Sequence, residues 1–319
     1  MKAEAVGRKA IQVVNETVNY AVLTIIVLLT AFAVYSLWDS KQIYAAAVKG
    51  HYEVYKPSVI DEGKSFLELR AINPEVIAWL TVFGTNIDYP VTRGDDNMKY
   101  VNTNAEGSYS LSGSIFLDER NSKDFSDFNN ILYGHHMEKK AMFGDIGEFS
   151  GKEMFDSRLY GNLYFEGRDH GIEFFAFVHA DAYDRKLFVP IGEYDETEQE
   201  YLDALLEQAT HKRDIGITKN DHIILLSTCS SSSTNGRDIL AGRITDKVFD
   251  DPFASIKAVK GYNPDGPDKL LGFIDGFSMW QLLIMIAVAV WLIVKLIRVN
   301  RRLKKNDTGD RKGIMKWLL

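Results

Sequence analysis

The sequence predicts a mainly β domain, either a closed barrel or a sandwich, between two membrane-spanning helices. Three observations support this prediction. About eight short segments are rich in β-branched and aromatic residues, and Gly, Asn or Asp separates most of them. One helical pattern interrupts this series of segments. Two apolar runs, each free of charged residues, lie on either side of it.

The first apolar run lies near the N-terminus. Residues 17–38 contain no charged side chain and are long enough to cross a bilayer as a helix. A cleavable signal peptide would have a shorter apolar core, of about 7–15 residues, and an A-x-A-like cleavage site, which does not follow this run. We therefore expect a membrane-spanning helix at 18–38, preceded by a cytoplasmic tail at 1–17.

The second apolar run lies near the C-terminus. Residues 277–294 are likewise uncharged. Trp280 and Trp291 lie near the two ends of this run, where aromatic residues are enriched at membrane interfaces. We expect a second membrane-spanning helix at 277–297, followed by a tail at 298–319.

Basic residues predict the orientation of both helices. Lys2, Arg8 and Lys9 precede the first run, whereas Asp39 is the first charge after it. The second run leads into a basic tail, with Lys295, Arg298, Arg301, Arg302, Lys304 and Lys305. By the positive-inside rule, both termini are cytoplasmic and residues 39–275 lie outside. The tail therefore indicates topology and contact with anionic lipids rather than nucleic-acid binding, and the chain as a whole has a net charge of −7.

Residues 39–275 have about the length of one large domain and contain no internal repeat. Residues 39–78 are predicted to be helical, because apolar residues recur there at three- and four-residue spacing. A helix is also predicted at 195–211, where Asp195 and Glu198 have capping-box spacing. The strand segments are 79–84, 86–91, 113–118, 130–135, 162–167, 172–183, 222–229 and 238–244.

Cys229 is the single cysteine of the chain and ends an apolar strand segment. In a cytosolic protein, such a cysteine is usually a small buried hydrophobe. Outside the cytoplasm, cysteines normally pair as disulfides, so an unpaired one indicates a reactive thiol or an intermolecular bridge. A thiol becomes a nucleophile when a nearby cation or histidine holds it as the thiolate.

His135 is the candidate partner among the seven histidines. It stands at the end of a strand segment, as Cys229 does, so the rim of a barrel could bring the two together. The adjacent His136 would point to the opposite side if the strand continues. A zinc site is the alternative, but two adjacent histidines and one distant cysteine match known ligand spacings poorly.

Arg237 begins the strand segment that follows Cys229 in the chain. If the two strands are neighbours, its guanidinium can hold a substrate carbonyl or the oxyanion of a tetrahedral intermediate. The alternative is an arginine that is merely solvated at the start of a strand.

These three residues lie in motifs that resemble a known family. YGHHM, LLSTC and the arginine of RDILAGRI resemble the catalytic signature of sortases, the surface cysteine transpeptidases of Gram-positive bacteria. INPEVIAWLTVFGTNIDYPV, DNMKYVNTN, SGSIFLDERN and the helix ahead of the cysteine strand resemble class B sortases in particular. The resemblance covers residues 65–248 and implies a sortase-type eight-stranded β-barrel with N-terminal helices and an inserted helix. A papain-type protease is disfavoured, because its cysteine precedes its histidine in the chain.

The resemblance implies a role for each matching residue. Cys229 matches the nucleophile, His135 the general acid and base, and Arg237 the arginine that positions substrate and steadies the oxyanion. Four residues match substrate-groove positions: Asn97, Val101, Tyr133 and Ser227. In the family's Asn-x-x-Tyr-Leu pattern this chain has Val101 in place of Leu. The implied chemistry needs no metal ion and no organic cofactor.

The implied reaction is acyl transfer. The cysteine attacks the Thr carbonyl of a C-terminal sorting motif, of the Asn-Pro-x-Thr type, in a secreted protein, and an amine then attacks the resulting thioester. The expected partners are secreted proteins with this signal and an amine of a peptidoglycan precursor or a pilin. A C-terminal span is commoner in class C enzymes, which polymerise pilins, but their N-terminal Asp-Pro-aromatic lid is missing. The one such motif, at 251–253, follows the catalytic strands.

Two other functions stay open from the sequence. An exported thiol hydrolase or protease could use the same Cys-His-Arg set and give the thioester to water. A non-catalytic membrane scaffold could keep the fold, although the intact set of Cys229, His135 and Arg237 argues against it.

Overall fold

The computed structural model describes residues 2–47, 49–57, 63–184, 186–190, 197–230 and 235–254, with five further positions between 287 and 295. Of the expected second span at 277–297, only those five positions are described, and each is helical. The expected tail at 298–319 lies outside the described residues. The chain divides into two units, residues 1–41 with 263–319 and residues 42–262, and each is described by itself.

The first helix, α1 (Lys2–Ala47), contains the expected N-terminal span. Its segment Thr17–Ser40 has a mean hydropathy of 2.3 and is the one helix of the described residues that is long and apolar enough to cross a membrane. Large apolar side chains such as Leu29 and Phe32 are exposed along it. The hydroxyls of Thr24 and Thr30 donate to carbonyls four residues earlier. Each hydroxyl hydrogen therefore has an acceptor even in an apolar environment. These properties are consistent with a membrane anchor.

The segment before the barrel is helical only in part. Of the residues predicted to be helical, 39–78, the end of α1 covers 39–47, and two single 3-10 turns (Lys49–His51 and Glu53–Tyr55) and helix α2 (Lys64–Ile72) follow. The C-cap of helix α2 is Asn73, which precedes a proline. Helical backbone angles are disfavoured for a residue before proline, so the helix stops there. The first strand already begins at Val76.

In the described part of the chain, nine strands form one sheet, and eight of them close into a barrel. The barrel strands follow the order β5-β1-β2-β3-β4-β8-β9-β6, and the pairing of β5 with β6 closes the circle. Neighbours are antiparallel except for the β2–β3 and β4–β8 pairs, which are parallel. The strands are β1 (Val76–Val82), β2 (Asp88–Thr92), β3 (Ile115–Leu117), β4 (Asn129–Tyr133), β5 (Tyr160–Phe165), β6 (Arg168–Asp181), β7 (Ala209–Lys212), β8 (His222–Cys229) and β9 (Gly236–Thr245). The expected eight-stranded barrel is therefore confirmed.

Alternating side chains build two apolar layers. In β8, Ile224 and Leu226 belong to the cluster that fills the barrel, whereas Ile223 and Leu225 belong to a second cluster on its outer face. Helix α4 (Glu198–Gln208) covers that second cluster with three buried side chains, Tyr201, Leu202 and Leu205. A short helix, α3 (Lys152–Ser157), lies between β4 and β5 in the chain.

The inserted helix differs from its expected bounds at both ends. Thr197 is the N-cap, and its side chain and that of Glu200 form the capping box, so the Asp195–Glu198 spacing does not start the helix. At the other end, residues 209–211 were expected to continue the helix but belong to β7, which pairs with β6. Pairing with a sheet edge therefore outweighs the helical spacing of the last apolar residues.

Candidate active site

Cys229 and Arg237 face each other across a pair of adjacent strands. Cys229 is the last residue of β8, and the antiparallel register pairs it with Arg237 near the start of β9. A hydrogen bond of 2.8 Å from the Ser230 amide to the Gly236 carbonyl extends this pairing by one residue. Side chains alternate along a strand, so Cys229 lies on the same outer face as Leu225. Its thiol is exposed, which leaves it accessible to a substrate.

Arg237 has few protein partners. Its Nη1 donates to the carbonyl of the preceding residue, Gly236, at 3.1 Å. Among the residues that the structure describes, no ion pair involves Arg237. By contrast, Arg243 on the same strand pairs with Glu173 at 2.5 Å and with Asp221 at 3.7 Å. The guanidinium of Arg237 is therefore available to an external carbonyl or anion.

His135 follows the end of β4, at the same rim as Cys229. Strand β4 runs parallel to β8, with Tyr133 opposite Ser227. The Gly134 amide donates to the Ser227 carbonyl at 3.2 Å, and the Thr228 hydroxyl donates to the Gly134 carbonyl at 2.8 Å. Two residues beyond the last pair in each strand stand His135 and Cys229. The register thus brings together the two strand ends that the sequence singled out.

A backbone carbonyl orients the His135 ring. Its Nε2 lies 2.8 Å from the carbonyl oxygen of Val101. A carbonyl only accepts, so Nε2 carries a proton and Nδ1 is the nitrogen left for other partners. The neighbouring His136 has a different environment, since it forms a β-bridge with Met142 and its Nδ1 is buried without a partner in the described part of the chain.

Ser227 and Tyr133 lie on β8 and β4, two residues before Cys229 and His135 respectively. The two residues are register partners, and the Tyr133 ring packs against Phe116 with 5.4 Å between the ring centroids. Ser227 is 1% exposed, and its hydroxyl has no hydrogen-bond partner among the described residues. A buried hydroxyl without a partner costs free energy, so Ser227 is a site where a bound peptide could supply the missing bond.

Asn97 is held by the connection between β3 and β4. Its Nδ2 donates to Asp118 at 3.2 Å, its Oδ1 accepts from the Glu119 amide at 2.8 Å, and its own amide donates to the Glu119 carboxylate at 3.0 Å. Val101 lies in the 3-10 turn Lys99–Val101, and its contact with the site is through the backbone carbonyl on His135. Val101 thus contacts His135 directly, and Asn97 connects to Tyr133 through Asp118.

Asp118 is the residue that sequence reasoning missed. It is fully buried and accepts from the Tyr133 hydroxyl at 3.0 Å, as well as from Asn97. Arg120 donates to both carboxylate oxygens at 2.8 Å. Burial alone would raise the pKa of Asp118, but the hydrogen bonds and charge of Arg120 and the bond from Tyr133 outweigh it and hold the pKa below its usual range. The sequence signal that could have indicated Asp118 is an Asp and an Arg two residues apart, directly after an apolar strand segment.

Metal ligation has no candidate in the described part of the chain. No group of three or more His, Cys, Asp or Glu side chains there is placed to hold a metal ion. The two histidines next to each other, His135 and His136, have separate environments, as described above.

Comparisons with known proteins agree with this geometry. No family model matches the chain. Sortase B of Listeria monocytogenes is 30% identical over 184 residues, which cover 56% of this chain and 74% of that protein. Among solved structures, sortase B from the type II pilus of Streptococcus pneumoniae shares 45% identity with a TM-score of 0.50, covering 56% of this chain and 98% of that one. A class B sortase of Streptococcus pyogenes involved in pilus biogenesis shares 39% identity with a TM-score of 0.54, covering 57% and 99%.

The similarity covers more than half of this chain in each comparison. The resemblance seen in the motifs is thereby confirmed over most of each related protein. With its closed eight-stranded barrel and this degree of identity, the chain belongs to the class B sortases, which are cysteine transpeptidases.

Proposed function

We propose that this sortase cleaves an Asn-Pro-x-Thr-type sorting motif of secreted proteins and transfers the acyl group to a cell-wall or pilin amine. The observation that carries the proposal is the register of β4, β8 and β9. Cys229 and Arg237 are register partners, His135 lies two residues beyond Tyr133, the partner of Ser227, and Cys229 is exposed. A nucleophile, a proton-transfer group and a cation at one rim are what acyl transfer requires.

In the proposed mechanism His135 moves one proton in each half-reaction. The Val101 carbonyl accepts from Nε2 of His135, so proton transfer takes place at Nδ1. Nδ1 takes the thiol proton as the sulfur of Cys229 attacks the Thr carbonyl. The same proton then passes to the departing amine as the C–N bond breaks and the thioester remains. The incoming amine attacks the thioester and gives a proton to His135, which returns it to the sulfur when the C–S bond breaks. Arg237 stabilises the oxyanion of both tetrahedral intermediates.

The polar groups of the groove support a polar first motif residue. After its two side-chain bonds, to the Asp118 carboxylate and the Glu119 amide, the Asn97 side chain keeps one N–H and one lone pair for a substrate. Ser227 adds a buried hydroxyl that lacks a partner among the described residues. A polar pocket rejects a substrate that leaves its groups unpaired, so these residues favour Asn over Leu at the first position.

A pilin amine is favoured over a peptidoglycan amine as the acceptor. The two solved neighbours with pilus functions share 45% and 39% identity with this chain, against 30% for the Listeria protein. Acceptor choice is a property of the groove, so the more similar proteins are the better guide to it. The peptidoglycan precursor is the second candidate.

We place this chemistry outside the cell, on a domain at 39–275 anchored by spans at 18–38 and 277–297. The exposed apolar side chains and hydropathy of Thr17–Ser40 support the first anchor. Basic residues before the first run and after the second support cytoplasmic termini at 1–17 and 298–319. An outward-facing domain meets both secreted substrates and the cell wall.

A peptide panel tests the proposed function. The full chain, purified in detergent, is given quenched peptides that differ only at the first motif position, together with a glycine amine or a lysine amine. We expect faster amide formation with Asn than with Leu, and faster transfer to lysine than to glycine. Cleavage of Leu-Pro peptides alone would overturn the motif, and hydrolysis with every amine would favour the thiol hydrolase.

Three variants identify the residues in the same assay. Cys229→Ala and His135→Ala should each abolish transfer, and the double variant should be little worse than either, because the two groups act as a unit. His136→Ala is the matched control and should keep most activity, because that ring lies in a bridge with Met142. An inactive His136→Ala beside an active His135→Ala would reverse the assignment of the histidine.

A further inference from the structure

Asp118 forms hydrogen bonds with two residues of the substrate groove at once. One of its oxygens, Oδ2, accepts from Asn97 Nδ2 at 3.2 Å and from the Tyr133 hydroxyl at 3.0 Å. Arg120 donates to both oxygens, and the Arg120 amide donates to Oδ1 at 3.0 Å. The side chain has no exposed surface, so it does not itself meet a substrate.

These bonds permit only one orientation of the Asn97 amide. An asparagine side chain can turn over and exchange its donor and acceptor ends. Here the donor end faces a carboxylate, which only accepts, and the acceptor end faces the Glu119 amide, which only donates. Turning the side chain over would break both bonds and set like groups against each other.

The Asp118–Arg120 pair also reaches the segment ahead of α4. Arg120 Nη2 donates to the carbonyl of Phe188 at 2.8 Å, while it binds Asp118 Oδ2 at the same distance. The fully buried carboxylate of Asp118 is thereby linked by hydrogen bonds to the segment that carries Asn97 and to the end of β4. Through Arg120 it is also linked to the segment that carries Phe188. A structural ion pair alone would need only Arg120.

We infer that Asp118 is a positioning residue for substrate recognition, which fixes Asn97 and Tyr133 so that the groove selects a polar first motif residue. The inference rests on the proposed function, since it assigns the source of the expected Asn preference. Without the carboxylate, the donor end of Asn97 is no longer held, and among the described residues only the Glu119 amide still contacts its side chain. The groove would then still carry the thiol chemistry but would discriminate less between polar and apolar first residues.

The test compares Asp118→Asn with Asp88→Asn in the full chain. Asn keeps the shape of Asp118 but has one acceptor oxygen in place of two and no charge, so it cannot accept from Arg120 at one end and from Asn97 and Tyr133 at the other. Asp88 is the matched control, because it is also mostly buried and accepts from three side chains, Lys56, Trp79 and Thr81, at 2.6–2.9 Å. The readouts are kcat and KM for peptides with Asn or Ala at the first position, and the rate at which iodoacetamide alkylates Cys229.

In Asp118→Asn, we expect the Asn-over-Ala ratio of kcat/KM to fall about tenfold, the value of one well-placed hydrogen bond, mainly through KM. The alkylation rate should stay as in the unchanged chain. Asp88→Asn should lower the melting temperature but keep the ratio. An unchanged ratio in Asp118→Asn, or an equal fall in both variants, overturns the inference alone. Failure of the unchanged chain to prefer Asn over Ala overturns the proposed motif and the inference together.

If Asp118→Asn does not fold, a second variant tests the inference. Tyr133→Phe removes one donor to the same carboxylate oxygen and keeps the ring that packs against Phe116. We expect its Asn-over-Ala ratio to fall by about threefold, with the alkylation rate of Cys229 unchanged. An unchanged ratio in this variant overturns the inference.

Discussion

At the scale of single residues, Arg237 differs from the other arginine of its strand. Both lie on β9, but Arg243 forms ion pairs with Glu173 and Asp221, whereas Arg237 donates only to a backbone carbonyl among the described residues. One arginine therefore serves the fold, and the other is available to the reaction.

This contrast predicts opposite effects of the two substitutions. Arg237→Ala should lower kcat/KM about 10²–10³-fold with little change in melting temperature, because one oxyanion donor is lost. Arg237→Lys should restore only part of the rate, since lysine keeps the charge but lacks the planar fork. Arg243→Ala, the control, should lower the melting temperature and keep kcat/KM. Peptide kinetics with circular dichroism melts measure both, and an active Arg237→Ala would remove this residue from the site.

The sequence could predict the rim residues but not the carboxylate behind them. Cys229, His135 and Arg237 each lie at or next to a strand end, so pattern and motif together indicate them as candidates. Asp118 bonds to Asn97 and Tyr133, which lie 21 and 15 residues away in the chain. Asp118 comes within hydrogen-bond distance of these two residues only when β3 pairs with β4 and the segment before β3 folds back. Hydrogen-bond partners of that kind depend on tertiary packing, which no local pattern records.

At the scale of elements, the turn before β3 controls the position of His135. Gly113 has a positive φ of 57°, and a Cβ there would lie 2.5 Å from the Tyr100 carbonyl oxygen and 2.6 Å from that of Val101. The Val101 oxygen is the one that accepts from His135. A side chain at this position would therefore displace the group that orients the imidazole.

We expect Gly113→Ala to lower kcat/KM by about tenfold or more at temperatures where the protein is folded, since small misplacements of catalytic groups are costly. Gly107→Ala is a control with the same kind of backbone strain, because Gly107 has a φ of 84° but nothing within 4 Å of the added Cβ. Both variants should lose stability, and only Gly113→Ala should lose activity. Equal activity in the two variants, measured with the preferred peptide, would contradict the coupling to His135.

Element bounds were predictable where one pattern acted alone. Strand β8 matches its segment at 222–229 because turns bound an apolar run at both ends. The predicted end of α4 was wrong, because residues 209–211 continue the helical spacing of apolar residues but pair with β6 as a strand. The ninth strand was missed for the same reason, since a four-residue edge strand is defined by its partner rather than by its own composition.

At the scale of the whole molecule, the closed barrel brings the ends of β4 and β8 and the start of β9 to one rim. Parallel pairing of β4 and β8 and antiparallel pairing of β8 and β9 bring three residues together that are up to 102 positions apart in the chain. Closure itself depends on β5 pairing with both β1 and β6. The sequence alone left a barrel and a sandwich open, because strand count and spacing are common to both, and the resemblance was what favoured the barrel.

The topology of the chain is open to a protease test. Basic residues precede the first apolar run and follow the second, whereas the domain between them begins with Asp39. The positive-inside rule then predicts that both termini stay in the cytoplasm. In intact protoplasts of a Gram-positive host, external protease should digest residues 39–275, while epitope tags at both ends survive. Permeabilised protoplasts are the control and should lose both tags. If the C-terminal tag is digested in intact protoplasts while the N-terminal tag survives, the apolar run at 277–294 does not cross the membrane and α1 is the anchor that remains.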